Sequence, residues 1–292
     1  MLQSQLENLA LNTFECSKAP TRVCWNLTSR CNLGCRFCFG PQNVENELST
    51  AEIKVVLDKL KKAGVERVVL SGGEPLLKDD ILQIIKEADA QGLKVSLATN
   101  GLLLTQEFLS KVKKHLALIE ITVDGADNSM EEKMRGESQI FERVIKNLEL
   151  IKRSGVPLKI NTMVCRKNID ALEEIGEIAK KFGVQCWKIF QFVPRNRGQL
   201  YKAEFDITDK EFEQLRLKIS ARFPNLNLIW ADKDFFKGSY FNIYPDGSVT
   251  IPGLENDTTI GNILAQSIEE LWGNSIIDKK KHTLQAKVPY ES

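Results

Sequence analysis

Three cysteines lie within eight residues of this chain, in the segment Cys31-Asn-Leu-Gly-Cys35-Arg-Phe-Cys38, which we call the cysteine loop. Thiolates are soft ligands, and three at this spacing can hold one metal centre without distant residues. A closed zinc site needs four ligands, so a zinc knuckle would take its fourth from elsewhere. An iron–sulfur cluster held by three cysteines leaves one iron open to a small molecule. The spacing favours this second class of site over a zinc knuckle or three unrelated thiols.

The composition is that of an ordinary globular enzyme. The chain has 292 residues, of which 42% are hydrophobic and 27% are charged, and a single α/β barrel of this length can bury a large core. The net charge of +1 gives no overall attraction to nucleic acid or to an anionic membrane, so we expect neither as a partner. No apolar run reaches the length of a membrane span, and the first residues lack the order of a secretion signal.

The cysteine count bears on the compartment. The chain contains seven cysteines, an odd number, and three of them are too close together for a disulfide framework. We therefore expect a reducing compartment, the cytoplasm. Cys165 and Cys186 fall on or beside apolar segments, where a thiol usually packs as a small apolar side chain. No role is assigned to Cys16 or Cys24.

Helices and strands are predicted to alternate over most of the chain. Short apolar segments at 22–28, 66–70, 93–98, 118–123, 158–164 and 185–193 have the composition of strands. Amphipathic helices are predicted between them at 49–63, 79–90, 105–115, 139–153 and 169–182. This alternation predicts a parallel sheet with right-handed crossovers, of the α/β class. Six units are too few to close an eight-stranded barrel, so we expect a partial (β/α)6 barrel.

The pattern divides the chain into three parts. Residues 1–20 form a lead-in with a short helix, 21–193 form the barrel, and 194–292 form a small α+β extension. In the extension a helix is predicted at 208–220, strands at 226–230, 239–244 and 248–251, and a short helix at 267–272. The last two of these strands are joined by a Pro-Asp-Gly turn. From Lys279 onward we expect a solvated tail.

Polar or glycine-rich segments follow the predicted strands, at the edge of a parallel sheet where ligands bind. They are the cysteine loop, Ser71-Gly-Gly-Glu-Pro75, Thr99-Asn-Gly101 and Asp124-Gly125. Lys159 and Asn161 lie along the fifth strand, and Lys188 and Gln191 along the sixth. The sequence therefore predicts one site at this edge.

The cysteine spacing, with Phe37 just before the last cysteine and Gly-Gly-Glu-Pro one unit later, resembles the radical S-adenosylmethionine (radical SAM) superfamily. The resemblance implies that Cys31, Cys35 and Cys38 hold one 4Fe-4S cluster, with S-adenosylmethionine (SAM) as the second cofactor. One electron from the cluster then cleaves SAM to a 5′-deoxyadenosyl radical that abstracts hydrogen from a small-molecule substrate. It also implies an electron donor such as flavodoxin or ferredoxin.

The same resemblance implies a set of SAM-binding residues. Gly72, Gly73 and Glu74 would hold the methionine ammonium, Thr99 and Asn100 the ribose or sulfonium region, Arg135 beside Asp124 the carboxylate, and Asn161 the adenosine. A guanidinium fork suits a carboxylate. From the residues alone, the Gly-Gly-Glu-Pro and Asn-Gly segments are also compatible with ordinary turns, and Arg135 with a surface position.

Two branches of the superfamily imply different substrates. The first, which we take as the main expectation, is viperin-like dehydration of a nucleoside triphosphate. It is suggested by Ser71, Lys159, Lys188 and Tyr240, with the two lysines facing the triphosphate and Tyr240 near the substrate. Arg195 and Arg197 would add positive charge at the barrel mouth. Lys188 and Tyr240 are the candidate catalytic residues.

The alternative is a SPASM or twitch-related enzyme that modifies a peptide or a small metabolite. Its marks are Trp25-Asn-Leu-Thr28, Asp124-Gly125 with Arg135-Gly136, and Tyr244-Pro-Asp-Gly-Ser-Val249. In SPASM proteins the last region carries cysteines for auxiliary clusters, whereas this chain has no cysteine after Cys186. We therefore expect an extension without auxiliary clusters. A third alternative, of another class, is a zinc-binding scaffold protein.

Overall fold

The computed structural model describes residues 17–41 and 43–287. Most of the lead-in, with its short helix and Cys16, lies outside the described residues. The strands are β1 (Arg22–Asn26), β2 (Arg67–Ser71), β3 (Lys94–Thr99), β4 (Leu118–Thr122), β5 (Leu158–Val164), β6 (Cys186–Gln191), β7 (Leu228–Ala231), β8 (Asn242–Ile243), β9 (Ser248–Ile251) and β10 (Thr258–Asn262). The helices are α1 (Thr50–Lys62), α2 (Ile81–Ala90), α3 (Gln106–Val112), α4 (Asn128–Arg135), α5 (Ile140–Ser154), α6 (Leu172–Phe182), α7 (Arg197–Leu200), α8 (Lys202–Phe205), α9 (Asp209–Arg222), α10 (Ile268–Trp272) and α11 (Lys279–Lys287).

All ten strands belong to one sheet, in the order β10-β9-β8-β1-β2-β3-β4-β5-β6-β7. Strands β1 to β7 are neighbours in chain order and every pair among them is parallel. The prediction of an α/β partial barrel is confirmed. The extension does not form a sheet of its own, because β7 pairs with β6 and β8 pairs with β1. Its strands thus continue the barrel sheet at both edges.

Helix α1 shows why the local sequence forms these elements. A capping box between Ser49 and Glu52 satisfies the first free backbone N–H groups, and the chain leaves the helix at Gly64 with φ +85°. The buried residues Val56, Leu57 and Leu60 recur at helical spacing and pack into the core against the sheet. No helix among residues 17–41 and 43–287 is long and apolar enough to cross a membrane.

Helix α4 was not predicted from the sequence. Asp127 caps its first turn by accepting a hydrogen bond from the Met130 N–H, and Gly136 ends it with φ +83°. Two of its three buried residues are Glu131 and Arg135, so the helix lacks the apolar stripe that periodicity analysis detects.

The prediction of a solvated tail is wrong for the described residues. Residues Lys279–Lys287 form α11, and His282 within it is 2% exposed. The His282 ring lies 4.9 Å from the Trp272 ring, and its Nδ1 is 2.8 Å from the Ser239 carbonyl oxygen. The run of lysines suggested a solvated segment, but the histidine side chain packs against α10 and the segment before β8.

The barrel interior carries charge. Residues of β4 and β5 alternate, with Ile119, Ile121 and Ile160 packed in the core and Glu120 and Lys159 on the opposite face of the sheet. The Lys159 Nζ lies 2.7 Å from the Glu120 carboxylate, and both side chains are 6% exposed. Burial alone would raise the pKa of Glu120, but Lys159 and the Asn161 amide outweigh it and hold the pKa at about 2.

We expect Glu120→Gln to lower the free energy of unfolding by about 3–5 kcal/mol near neutral pH, because it removes the counter-charge of a buried ammonium. Urea denaturation measures the loss. Since the pKa of Glu120 is held below its ordinary value of 4.5, the contribution of the carboxylate is present above pH 4.5 and is lost as the pH falls towards about 2. The double variant Glu120→Gln/Lys159→Met should recover part of the loss. A Glu120→Gln protein as stable as the wild type would contradict a stabilising pair.

Candidate functional site

The cysteine loop follows β1 at the edge of the sheet where the strands end. Cys31 is exposed, and Cys35 and Cys38 are half-buried. Among the described residues, no three Cys, His, Asp or Glu side chains are gathered closely enough to hold one metal ion. A closed zinc site requires such a group, whereas the thiolates of an iron–sulfur cluster bind different irons. The chemistry of these three soft thiolates suits an iron–sulfur cluster.

Ligand thiols must lose their protons when a cluster binds. Burial raises the pKa of Cys35 to about 12, and the neighbouring thiols Cys38 and Cys31 add to the shift, while Arg135 opposes it. Burial also raises the pKa of Cys31. A metal centre held by these thiols would therefore release protons on binding, and the cation Arg135 favours the deprotonated loop.

The two glycines after β2 lie directly on the chain that leads into the cysteine loop. A Cβ atom on Gly72 would stand 2.4 Å from the Thr28 carbonyl oxygen, and one on Gly73 would stand 2.2 Å from the Arg30 carbonyl oxygen. The Gly73 N–H donates to Thr28 O at 2.7 Å, and the Glu74 N–H donates to Arg30 O at 2.8 Å. Glycine is required here by contact between two loops of the protein, a reason that the sequence did not reveal.

Glu74 connects the ends of β2 and β3. Its carboxylate is fully buried and accepts hydrogen bonds from the Thr99 hydroxyl at 2.7 Å, the Asn100 N–H at 2.8 Å and the Leu76 N–H at 3.0 Å. Burial raises the pKa of Glu74, and these donors hold back the rise. The Asn100 amide in turn donates to Asn32 Oδ1 in the cysteine loop at 2.8 Å. The first three predicted motifs therefore meet at one edge of the sheet.

Asp124 and Arg135, both predicted site residues, form a buried group with Glu131. The Arg135 guanidinium lies 3.1 Å from the Asp124 carboxylate and 2.8 Å from that of Glu131, and all three residues are at most 4% exposed. Glu131 also accepts from the Asp124 and Gly125 N–H groups. Burial, together with Glu131, raises the pKa of Asp124 to about 7 against the pull of Arg135. Glu131 is not among the predicted site residues, and its one signal in the sequence is its position four residues before Arg135.

Residues 196–205, which we call the clasp, also contact the cysteine loop. The Gly198 N–H donates to Cys38 O at 3.3 Å, and Arg197 donates to Cys35 O at 3.4 Å. Arg36 forms an ion pair with Glu204 at 3.1 Å and stacks over the Tyr201 ring at 4.7 Å. Further contacts join Asn196 to the Phe39 carbonyl oxygen and Phe37 to the Phe205 ring. Arg197 is a predicted substrate residue, and no pattern in the sequence predicts the clasp.

The other predicted substrate residues have different surroundings. Lys159 is paired with Glu120, and Arg195 is paired with Asp257 at 2.6 Å. Lys188 donates to the Tyr240 hydroxyl at 2.7 Å, and Ser71 is partly exposed at the end of β2. Two of the four predicted cations therefore already face protein carboxylates.

Asn161 lies beside Lys188 in the register of β5 and β6. Its amide nitrogen donates to Glu120 at 3.0 Å, while its buried Oδ1 has no hydrogen-bond partner in the described part of the chain. An acceptor left in this state is costly unless a ligand supplies a donor.

Known proteins are similar to this chain in sequence. The sequence profile of the Radical SAM superfamily matches residues 25–181. The chain is 34% identical over 186 residues to an AdoMet-dependent heme synthase of Methanosarcina barkeri, covering 62% of this chain and 53% of that protein. It therefore spans about half the length of this relative. A PqqA peptide cyclase of Bradyrhizobium diazoefficiens is 27% identical over 90% of this chain and 76% of its own.

A solved structure shares the fold. Streptococcus suis SuiB bound to precursor peptide SuiA has a TM-score of 0.72 at 16% identity, over 88% of this chain and 65% of that one. Neither of the two relatives compared by sequence is named as a nucleotide dehydratase, and one is named as a peptide cyclase. The comparisons therefore favour the SPASM or twitch-related alternative over the viperin-like expectation, which rested on residues that also suit other anions.

We expect Gly73→Ala to lower the free energy of unfolding by about 1–3 kcal/mol, because the added methyl group meets the Arg30 backbone. Gly34→Ala is the matched control, since a Cβ there has no atom within 4 Å and the change should cost less than about 0.5 kcal/mol. Urea denaturation of both variants makes the comparison. Equal effects in the two would contradict the proposed reason for glycine at position 73.

Proposed function

The chain belongs to the radical SAM superfamily, and on that premise we propose that it is an enzyme that removes a hydrogen atom from a peptide. The observation that supports a peptide is the match to the PqqA peptide cyclase, which covers 90% of this chain. The barrel alone ends near residue 193, so a match of this extent includes much of the extension. The extension in turn contributes Phe236 and Tyr240, both within reach of the Lys188 side chain.

We propose that Cys31, Cys35 and Cys38 hold one 4Fe-4S cluster. When bound, this cluster and SAM supply a 5′-deoxyadenosyl radical. The three cysteines are the only ones in the sequence at this spacing. A Cβ atom on Gly40 would lie 3.5 Å from Cys38 Sγ and 3.6 Å from the Gly72 carbonyl oxygen, so the loop is adjacent to the Gly-Gly-Glu-Pro segment.

The remaining predicted residues are proposed to bind SAM. Gly72, Gly73 and Glu74 would bind SAM in the loop after β2. Thr99 and Asn100 would bind it at the end of β3. The unpartnered Oδ1 of Asn161 suits a hydrogen-bond donor of the adenosine. The Arg135 guanidinium lies close enough to Cys35 to lower the pKa of that thiol. Its ion pairs with Asp124 and Glu131 keep it in this position.

Aromatic side chains connect the cysteine loop with the barrel interior. Phe39 lies 6.2 Å from Phe190, Phe190 lies 6.1 Å from Phe236, and Phe236 lies 5.4 Å from Tyr240 between ring centroids. We propose that these rings limit the access of water to the space beside the cofactors, because a reactive radical must be protected from side reactions. We propose that the extension, residues 194–292, covers the substrate there and that this part of the chain, which has no cysteine, does so without an auxiliary cluster.

The proposed chemistry needs an electron from outside the protein. A flavodoxin or a ferredoxin in the cytoplasm is the donor we propose, because the cluster loop is exposed at Cys31 and an oxygen-sensitive cluster requires a reducing compartment.

A second candidate substrate is an iron porphyrin. It is favoured by the 34% identity to an AdoMet-dependent heme synthase, a match that covers 62% of this chain. The peptide proposal takes precedence because its supporting match extends further into the extension.

The proposal predicts that anaerobically reconstituted protein with dithionite cleaves SAM to 5′-deoxyadenosine, which mass spectrometry detects. A pool of deuterated peptides, prepared by digesting proteins from the source organism grown in heavy water, then tests the substrate class. Deuterium transfer into 5′-deoxyadenosine would support a peptide. Cleavage without transfer would overturn the peptide assignment and leave the porphyrin as the next substrate to test. No cleavage by protein with an intact cluster would overturn the enzymatic proposal itself.

Cys38→Ala should abolish both the cluster absorbance and SAM cleavage, because three thiolates are needed to hold the cluster. Cys186→Ala is the matched control, since this buried thiol lies on β6 and should affect neither readout by more than about twofold. Iron analysis and cleavage assays on both variants provide the test. Normal cleavage by Cys38→Ala would refute its role as a ligand.

A further inference from the structure

Lys188 is a buried cation that lacks a carboxylate partner in the described residues. It lies in β6, is 8% exposed, and donates one hydrogen bond, at 2.7 Å, to the Tyr240 hydroxyl. An ammonium group has three donors, and Tyr240 is the one hydrogen-bond acceptor that the described residues offer it. Two N–H donors therefore remain for a ligand.

Three aromatic rings surround the same ammonium group. Its Nζ lies 4.6 Å from the centroid of Phe236, 4.9 Å from that of Phe235 and 5.2 Å from that of Tyr240. Ring faces stabilise a cation but accept no strong hydrogen bond from it. The rings therefore keep the ammonium in a partly desolvated place without using its remaining donors.

The surroundings of Lys188 and Tyr240 are electropositive. Burial lowers the pKa of Lys188, and the charges of Lys159 and Arg22 lower it further, against the favourable influence of Tyr240. The pKa of Tyr240 is also lowered, because Lys188 and Arg22 outweigh the effect of its burial. Glu120 offsets the charge of its partner Lys159, so the attraction for an anion placed beside this pair comes mainly from Lys188 and Arg22.

We propose that Lys188 and Tyr240 bind a carboxylate of the substrate, so that the substrate of this enzyme is an acid. The two N–H donors of Lys188 and the Tyr240 hydroxyl can all donate to carboxylate oxygens, and such charge-assisted bonds are strong. Asn161 neighbours Lys188 across β5 and β6, so the carboxylate would lie beside the proposed adenosine contact. This inference rests on the proposed function and adds that the peptide presents an acidic side chain or its C-terminus.

The test measures binding of trifluoroacetate, a small carboxylate with a fluorine signal, to the holoenzyme saturated with SAM. Saturable broadening of the ¹⁹F resonance gives its dissociation constant. We expect Lys188→Met to weaken binding by about tenfold or more, because a charge-assisted hydrogen bond is lost. Tyr240→Phe removes a single oxygen atom and should weaken binding several-fold. Lys61→Met, at an exposed lysine of α1, should leave binding unchanged.

Circular dichroism melts verify that each variant is folded, and Tyr240→Phe remains as a test if Lys188→Met is not. Equal binding by the wild type and both site variants would overturn the proposal, as would absence of saturable binding to the wild type. A SAM-cleavage assay on the same protein distinguishes failure of the carboxylate subsite from failure of the proposed function. Cleavage with no Lys188-dependent binding would refute the subsite alone, whereas Lys188-dependent binding without cleavage would refute the proposed function alone.

Competition against trifluoroacetate then distinguishes the source of the carboxylate. Displacement by an N-acetylated, C-amidated peptide containing one Glu, and a much weaker effect of its Gln counterpart, would support an acidic peptide. Displacement by an iron porphyrin with carboxylate side chains, at concentrations where the Glu peptide has no effect, would support the carboxylate subsite and overturn the peptide.

Discussion

The buried carboxylate of Glu74 is the interaction on which the arrangement of the site depends. It binds the hydroxyl of Thr99 and the backbone N–H of Asn100, so the loops after β2 and β3 have one fixed relation to each other. Asn100 then reaches Asn32 in the cysteine loop. A carboxylate buried this deeply is stable only when its oxygens are satisfied, and a loop that moved away would leave it unpaired. The three motifs are therefore held as one unit.

Close packing of backbone adds to this constraint. Gly72 and Gly73 allow the segment after β2 to lie within hydrogen-bond distance of Thr28 and Arg30, immediately before the cysteine loop. On the other side the clasp, residues 196–205, donates to carbonyl oxygens of the loop and pairs with Arg36. The cysteine loop has no regular secondary structure, so contacts from two directions replace the internal hydrogen bonds that a helix or strand would provide.

The barrel interior combines polar groups that are paired within the protein and polar groups that are not. Lys159 and Glu120 satisfy each other, and Asp124 and Glu131 hold the Arg135 guanidinium in place through ion pairs. Asn161 Oδ1 and the Lys188 ammonium retain hydrogen-bonding capacity at adjacent positions of neighbouring strands. Buried polar capacity is costly in a folded protein, and ligand sites are the usual place where that cost is tolerated.

The sequence by itself determined the alternation of helices and strands, the partial barrel and the motifs at the strand ends, because periodicity, caps and cysteine spacing are local patterns. It did not determine which charged side chains pair. Lys159 and Glu120 are 39 positions apart, and Arg36 and Glu204 are 168 apart. Such contacts depend on how whole elements pack, which is also why α4, the clasp and the burial of His282 were decided only by the tertiary structure. A residue's type gives its chemistry, but its partner is set by the fold.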